Sequence, residues 1–309
     1  MKNIFLTLVL IITSVFCTDG FAQQDAQYTQ YMYNTIGINP AYAGQRGALS
    51  ILALHRSQWV GLDGAPKTQT LSVHSPIGVS QQLGLGLSII NDKIGPTQET
   101  TISADFSYTI PVSENGNLSF GLKGTAHLLN VDYNKLNIYN PGDNLLNENI
   151  NEFSPNVGLG LYYRHADTWY LGFSVPSLLE TDHLDNQSLS TSKERMNFYL
   201  TGGYVFNLSE NTKFKPAFLT KAVSGAPLQV DLSANFMLHE KFILGTAYRW
   251  SAAFSGMLGF QVNDQFLVGF AYDRETTELG NAQFNDGSFE LFLRFELQKI
   301  GKIFSPRFL

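Results

Sequence analysis

From Thr100 to Ile110 the sequence alternates strictly: Thr100, Ile102, Ala104, Phe106, Tyr108 and Ile110 take one set of positions and Thr101, Ser103, Asp105, Ser107 and Thr109 the other. Successive side chains of an extended chain point to opposite faces, so this is a strand with one apolar and one polar face. The pattern returns at Leu118, Phe120, Leu122, Gly124, Ala126 and Leu128, at Leu228, Val230, Leu232, Ala234 and Phe236, and at Phe289, Leu291, Leu293, Phe295 and Leu297. In the last segment the charges Glu290, Arg294 and Glu296 all fall on the polar side. The chain is therefore all-β, with its apolar faces turned either into a sandwich core or out toward lipid.

About fourteen such segments can be marked. They start near Ala48, Lys67, Leu83, Gln98, Asn117, Pro155, Thr168, Met196, Lys213, Pro227, Lys241, Phe254, Gln265 and Gly287. An even number fits a single-chain antiparallel transmembrane barrel of the outer-membrane type. Such a barrel starts and ends on one side, so every second connection is periplasmic. Those connections are short: Pro76 to Gln82, Pro111 to Gly116, His165 to Asp167, Leu208 to Thr212, Met237 to Glu240, and Asn263-Asp264. The long ones, Ser57 to Pro66, Asn130 to Ser154, Pro176 to Arg195 and Arg274 to Asp286, all fall on the opposite side. No sandwich rule sorts loop lengths by parity, whereas outer-membrane barrels do so. Trp59, Tyr108, Trp169, Tyr170, Trp250 and Tyr272 sit near segment ends, where either interfacial girdles or the general preference of aromatics for strands would place them.

Composition agrees with a lipid-facing wall. Charged residues make up 15% of the chain, against about 25% in soluble domains. The net charge of −6 gives no basic face to replace phosphate counterions, so no nucleic-acid partner is expected.

The first residues form a leader pattern: Lys2, the mostly apolar run Ile4 to Phe16, and small residues around Gly20-Phe21-Ala22. The sequence divides into a signal peptide over 1–22, a periplasmic or lumenal segment over 23–47 and a barrel over 48–309. Cys17 belongs to the leader, and Phe16 before it is too bulky for a lipoprotein site. No later run reaches the about 18 apolar residues of a membrane-spanning helix.

Chemistry-bearing motifs are missing. There is no Gly-x-Ser-x-Gly, His-Glu-x-x-His or Walker lysine pattern, and the six histidines are scattered. No enzyme activity and no cofactor are expected. Asp182-His183-Leu184-Asp185 and the stretch Asp143 to Glu152 offer oxygen ligands for calcium without the spacing of a calcium loop. Gly84, Gly86, Gly158, Gly160, Gly256, Gly259 and Gly269 read as strand glycines that ease curvature or close packing.

The segment before the first strand has no strand period. It runs Gln27-Tyr28-Thr29-Gln30-Tyr31-Met32-Tyr33-Asn34, then Asn39-Pro40-Ala41-Tyr42-Ala43-Gly44, and is followed by Arg56-Ser57-Gln58-Trp59 and Gly64-Ala65-Pro66. With Asp92-Lys93-Ile94-Gly95, the Pro155 to Tyr163 strand, Tyr248-Arg249, Tyr272-Asp273 and the closing Phe289-Glu290 strand, this resembles the PorP/SprF family of type IX secretion system outer-membrane proteins over essentially the mature chain. Many relatives carry histidine where Phe289 stands, so no role is assigned to that position. The resemblance implies a barrel beside the type IX translocon that supports secretion or surface anchoring of a particular cargo. That cargo would be a secreted protein with a C-terminal signal domain, such as an adhesin with a type B domain. Translocon or periplasmic ring components and outer-membrane lipid would be its other partners. The alternative is a porin or solute transporter, which would line its lumen with more Arg, Asp and Glu than the Ser, Thr, Asn and Gly seen here.

Two groups of residues are expected to bind partners. Tyr31, Asn39, Pro40, Tyr42, Arg56 and Trp59 belong to the specific segments above, and residues 23–47 are expected to fold into the lumen or across its periplasmic mouth. Tyr139, Leu145, Leu146, Leu178 and Leu179 lie in the two longest outer loops, which are more apolar than a solvated tether needs and well beyond the usual about 4 to 6 residues.

Overall fold

The computed structural model describes residues 26–135, 149–183, 192–281, 283–297 and 308. Each alternating segment is a strand: β1 (Leu49–Ser57), β2 (Lys67–Ile77), β3 (Leu83–Ile94), β4 (Thr97–Pro111), β5 (Gly116–Val131), β6 (Ile150–His165) and β7 (Trp169–Val175). A small hairpin of β8 (Thr181–His183) and β9 (Ser192–Glu194) stands apart in a sheet of its own. The wall resumes with β10 (Asn197–Tyr204), β11 (Phe206–Ser209), β12 (Thr212–Val223), β13 (Gln229–Leu238), β14 (Phe242–Arg249), β15 (Ala253–Gln261), β16 (Phe266–Glu275) and β17 (Ser288–Leu297).

Every neighbour pairing is antiparallel, and the first strand pairs with the last, Leu49 opposite Leu297 and Ser57 opposite Phe289. The two short strands β10 and β11 both pair with β12 and act as one wall strand. Counting that pair as one gives a closed barrel of fourteen strands. The break between them lies opposite Pro216, whose ring removes the N–H a ladder needs.

Facing directions rule out a sandwich. Leu87 is 58% exposed and Phe153 63% exposed on the outside, while Ser107, Ser119 and Glu290 are buried inside. A sandwich would bury the apolar face, whereas here it forms a continuous outer belt that only lipid can cover.

Strand starts agree with the alternation pattern to within two residues except at β6, which begins at Ile150 rather than near Pro155. Pro155 pairs with Ala126 on β5 from inside the strand. Val157, of the same parity, offers its carbonyl to Leu178 N on the side away from β5. The missing N–H of Pro155 therefore points to the side where β7 has already ended, so it breaks no ladder.

The connections at one end are the short turns at 78–82, 112–115, 166–168, 210–211, 239–241 and 262–265. The connections 58–66, 132–149, 176–196 and 276–287 stand at the other. Among the expected girdle residues Tyr170 is a correction: it points inward, is buried, and stacks on Tyr162 at 5.6 Å between ring centres. The even residues of β7 face the lumen, and only its odd residues, such as Trp169 and Leu171, face out.

Candidate functional site

Residues 26–48 run inside the barrel. The segment starts in the half nearer the long loops, where Gln27 donates to Gln229, and ends at the short-turn mouth, where Arg46 meets Glu296. It cannot be a strand because nothing in it alternates, and it folds instead into turns, a single helical turn α1 (Thr35–Ile38) and a 3-10 turn over Pro40–Tyr42. Asn39 caps the 3-10 turn by accepting from Ala41 N at 3.0 Å, and Pro40 begins it where an N–H would be idle. The free Asn39 amide donates to the Leu161 carbonyl at 2.9 Å, which ties the turn to β6.

Three charged anchors hold this plug. The first lies toward the long-loop end. There Arg56 reaches Asp273 at 2.6 Å and Glu290 at 3.1 Å. Glu290 also accepts from the backbone N–H groups of Thr29 and Gln30 at 3.0 and 2.9 Å, and the Thr29 hydroxyl donates to Asp273. The second is Lys123, which bridges Asp105 at 3.1 Å and the Ile36 carbonyl at 3.2 Å. The third, at the short-turn mouth, is a forked pair in which Arg46 meets both oxygens of Glu296 at 2.6 and 3.1 Å.

Neutral contacts complete the ring. Ser107 and Ser174 donate to the Ala43 and Ile38 carbonyls, Gln45 donates to Ser119, Gly44 N–H donates to His74, and Tyr31 shares a bond with Ser233. Burial pushes the Tyr31 hydroxyl well above its ordinary pKa, so it stays protonated as a neutral partner.

Backbone fit matters as much as charge. A Cβ on Gly121 would lie 2.1 Å from Ala41 N, and one on Gly160 would lie 2.1 Å from Asn39 Oδ1. A Cβ on Gly84 would lie 2.2 Å from the Ala43 carbonyl oxygen. These inward glycines form a slot for residues 39–44. Gly84 and Gly160 were among the glycines read as serving close packing, while Gly121 carried no sequence signal beyond its inward parity.

The expected partner residues now have places. Tyr31, Asn39, Pro40, Tyr42 and Arg56 are all buried between plug and wall, so their surfaces are spent within the molecule. Trp59 is half-buried at the long-loop end, where its N–H meets Ser288 and the next residue, Val60, exchanges backbone bonds with Gly287 and Asp286. Leu178 is half-buried and Leu179 exposed, and Leu179 exchanges bonds with the Asn156 side chain over the barrel rim. Tyr139, Leu145 and Leu146 lie outside the described residues, as does most of the calcium candidate from Asp143 to Glu152 and part of the one at 182–185. Among the described residues no three His, Asp or Glu side chains are grouped to hold a metal ion.

The lumen is more charged than its Ser, Thr, Asn and Gly residues suggested. Besides the anchors it holds the pair Arg249–Asp231 at 2.6 Å and Lys215, which donates to the Phe308 carbonyl at 2.5 Å. Apart from Arg294 and Glu296, 3.5 Å apart on β17, acid and base stand on different elements, so sequence neighbours do not reveal these pairs.

A family model described as type IX secretion system membrane protein PorP/SprF matches residues 20–295. Among curated proteins no sequence match reaches significance. Solved structures overlay at low identity. The Acinetobacter baumannii outer membrane protein Omp33 is 10% identical over 81% of this chain and 99% of its own, with a TM-score of 0.49. The Ralstonia pickettii toluene transporter TbuX is 9% identical over 84% and 91%, with a TM-score of 0.49. The CymD monoaromatic hydrocarbon channel is 10% identical over 91% and 93%, with a TM-score of 0.47. At these values nothing about solutes carries over to this chain.

Proposed function

The chain belongs to the PorP/SprF family of type IX secretion system membrane proteins and is an outer-membrane β-barrel, and from that premise we propose that it is a plugged platform that holds a secreted cargo protein at the cell surface. The observation that carries this is the filled lumen: the segment 26–48 hydrogen-bonds to β1, β2, β4 to β7, β13, β14, β16 and β17. A diffusion channel needs a continuous wet path, and a plug fastened around the circumference works against one.

With the short turns facing the periplasm, the long loops face outward, and a cargo arriving at the surface meets 132–149 and 176–196 first. Exposed Leu179 and the stretch holding Tyr139, Leu145 and Leu146 supply apolar contact, and the neighbouring Asp, Glu and Asn residues supply polar contact. Translocon or periplasmic ring components would meet the short-turn mouth.

Replacing either loop with a Gly-Ser turn tests the assignment. The barrel should still insert and keep its heat-resistant gel mobility while the cargo adhesin disappears from the surface. Normal adhesin display from a loop-shortened barrel would rule the assignment out.

A further inference from the structure

At the short-turn mouth, beside the point where the plug joins β1, lies a polar cavity of about 300 Å³ lined by Gly44, Gln45, the turn residues Ser80, Gln81 and Gln82, and Arg164. Arg164 is the charged residue of that lining. One guanidinium nitrogen, Nη1, donates to the Gln45 carbonyl at 2.8 Å, and Nε is enclosed without an acceptor among the described residues. No described carboxylate pairs with Arg164, whereas Arg46, Arg56, Lys123 and Arg249, which also face the lumen, each have one. A guanidinium gains most from a planar oxyanion that fits its fork, as Arg46 shows with both oxygens of Glu296.

The rim adds a second observation. Val79, next to Ser80 at the tip of the adjoining turn, is fully exposed at 102%. An arginine facing a polar cleft with an apolar side chain exposed beside it offers hold to both the carboxylate and the apolar atoms of a peptide.

We propose that this cavity is a carboxylate-binding site that receives an acidic peptide segment from a protein meeting the short-turn mouth. Arg164 takes the carboxylate, the amides of Gln81 and Gln82 and the Ser80 hydroxyl complete its hydrogen bonds, and Val79 packs against the peptide's apolar atoms. A free phosphate would use the arginine and leave Val79 idle. The proposal rests on the partner-holding reading for the protein nature of its ligand, but its test involves no cargo and no loop, so failure here leaves the loop-shortening result standing.

The probe is a fluorescently labelled tetraglutamate peptide, and its anisotropy is read against the purified full chain in detergent. Saturable binding is expected despite the net charge of −6. Arg164→Gln should weaken it at least tenfold, Arg164→Lys should retain part of it, and inorganic phosphate should displace it only in large excess. Val79→Glu, on an exposed turn and independent of any folding defect at Arg164, should weaken it by repulsion and lost apolar contact. Binding untouched by both Arg164→Gln and Val79→Glu, or no binding at all, overturns the proposal. So does equal competition by phosphate, which would make this a free-anion site.

Discussion

Adding one methyl group at Gly121 should dislodge the plug while sparing the barrel. The new Cβ would lie 2.1 Å from Ala41 N and 2.4 Å from the Pro40 carbonyl carbon, both of them backbone atoms that no rotamer change can remove. Ordinary contact requires a retreat of more than about 1 Å, in line with the cost of overpacking. That retreat stretches the bonds Asn39 Nδ2 to Leu161 O at 2.9 Å, Ser107 Oγ to Ala43 O at 2.7 Å and Gln45 Nε2 to Ser119 Oγ at 2.7 Å beyond useful range. At about 1 kcal/mol net for each hydrogen bond, the plug loses roughly 3 kcal/mol of its hold on β4 to β6. Gly124 on the same strand faces outward and has nothing within 4 Å of its added Cβ, so Gly124→Ala is the matched control. In planar bilayers the wild type and Gly124→Ala should stay closed, whereas Gly121→Ala should show openings while keeping the same heat-resistant gel mobility. Gly121→Ala channels as quiet as those of Gly124→Ala, from a barrel equally stable to heat, would refute the idea that this slot holds the plug.

The Arg56 anchor gives a second prediction. Arg56→Ala leaves Asp273 and Glu290 buried together without a cation, which costs about 3 to 5 kcal/mol, and protease should then cut within residues 26–48 of purified protein that resists digestion as wild type; equal resistance would count against the anchor. Orientation is checked by tags on intact cells. A tag within 176–196 should be labelled from outside and one at 210–211 only after the outer membrane is opened, and the reverse pattern would invert the assigned topology.

The wall could be read from the sequence because its determinant is local. An alternation such as Ile102, Ala104 and Phe106 against Ser103, Asp105 and Ser107 fixes two faces wherever the strand goes. Strand ends, the even count and the sorting of loop lengths follow from the same short-range pattern, and even the error at Pro155 arose locally, from taking a proline as a strand start. Residues 23–47 were expected in the lumen or across its mouth because they lack a strand period, but the contacts that hold them there were not legible. Tyr31, Asn39, Tyr42 and Arg56 drew attention through their motifs, yet nothing in those motifs distinguished a surface for partners from a surface for the chain's own lumen. Asp273 and Glu290 gave no signal as ligands for Thr29, because those contacts span 244 and 261 residues and exist only once β1 has paired with β17. Alternation says which side of a strand faces in; only closure of the ring decides which inward residues meet, because a contact across the lumen depends on the register of all the strands between its partners.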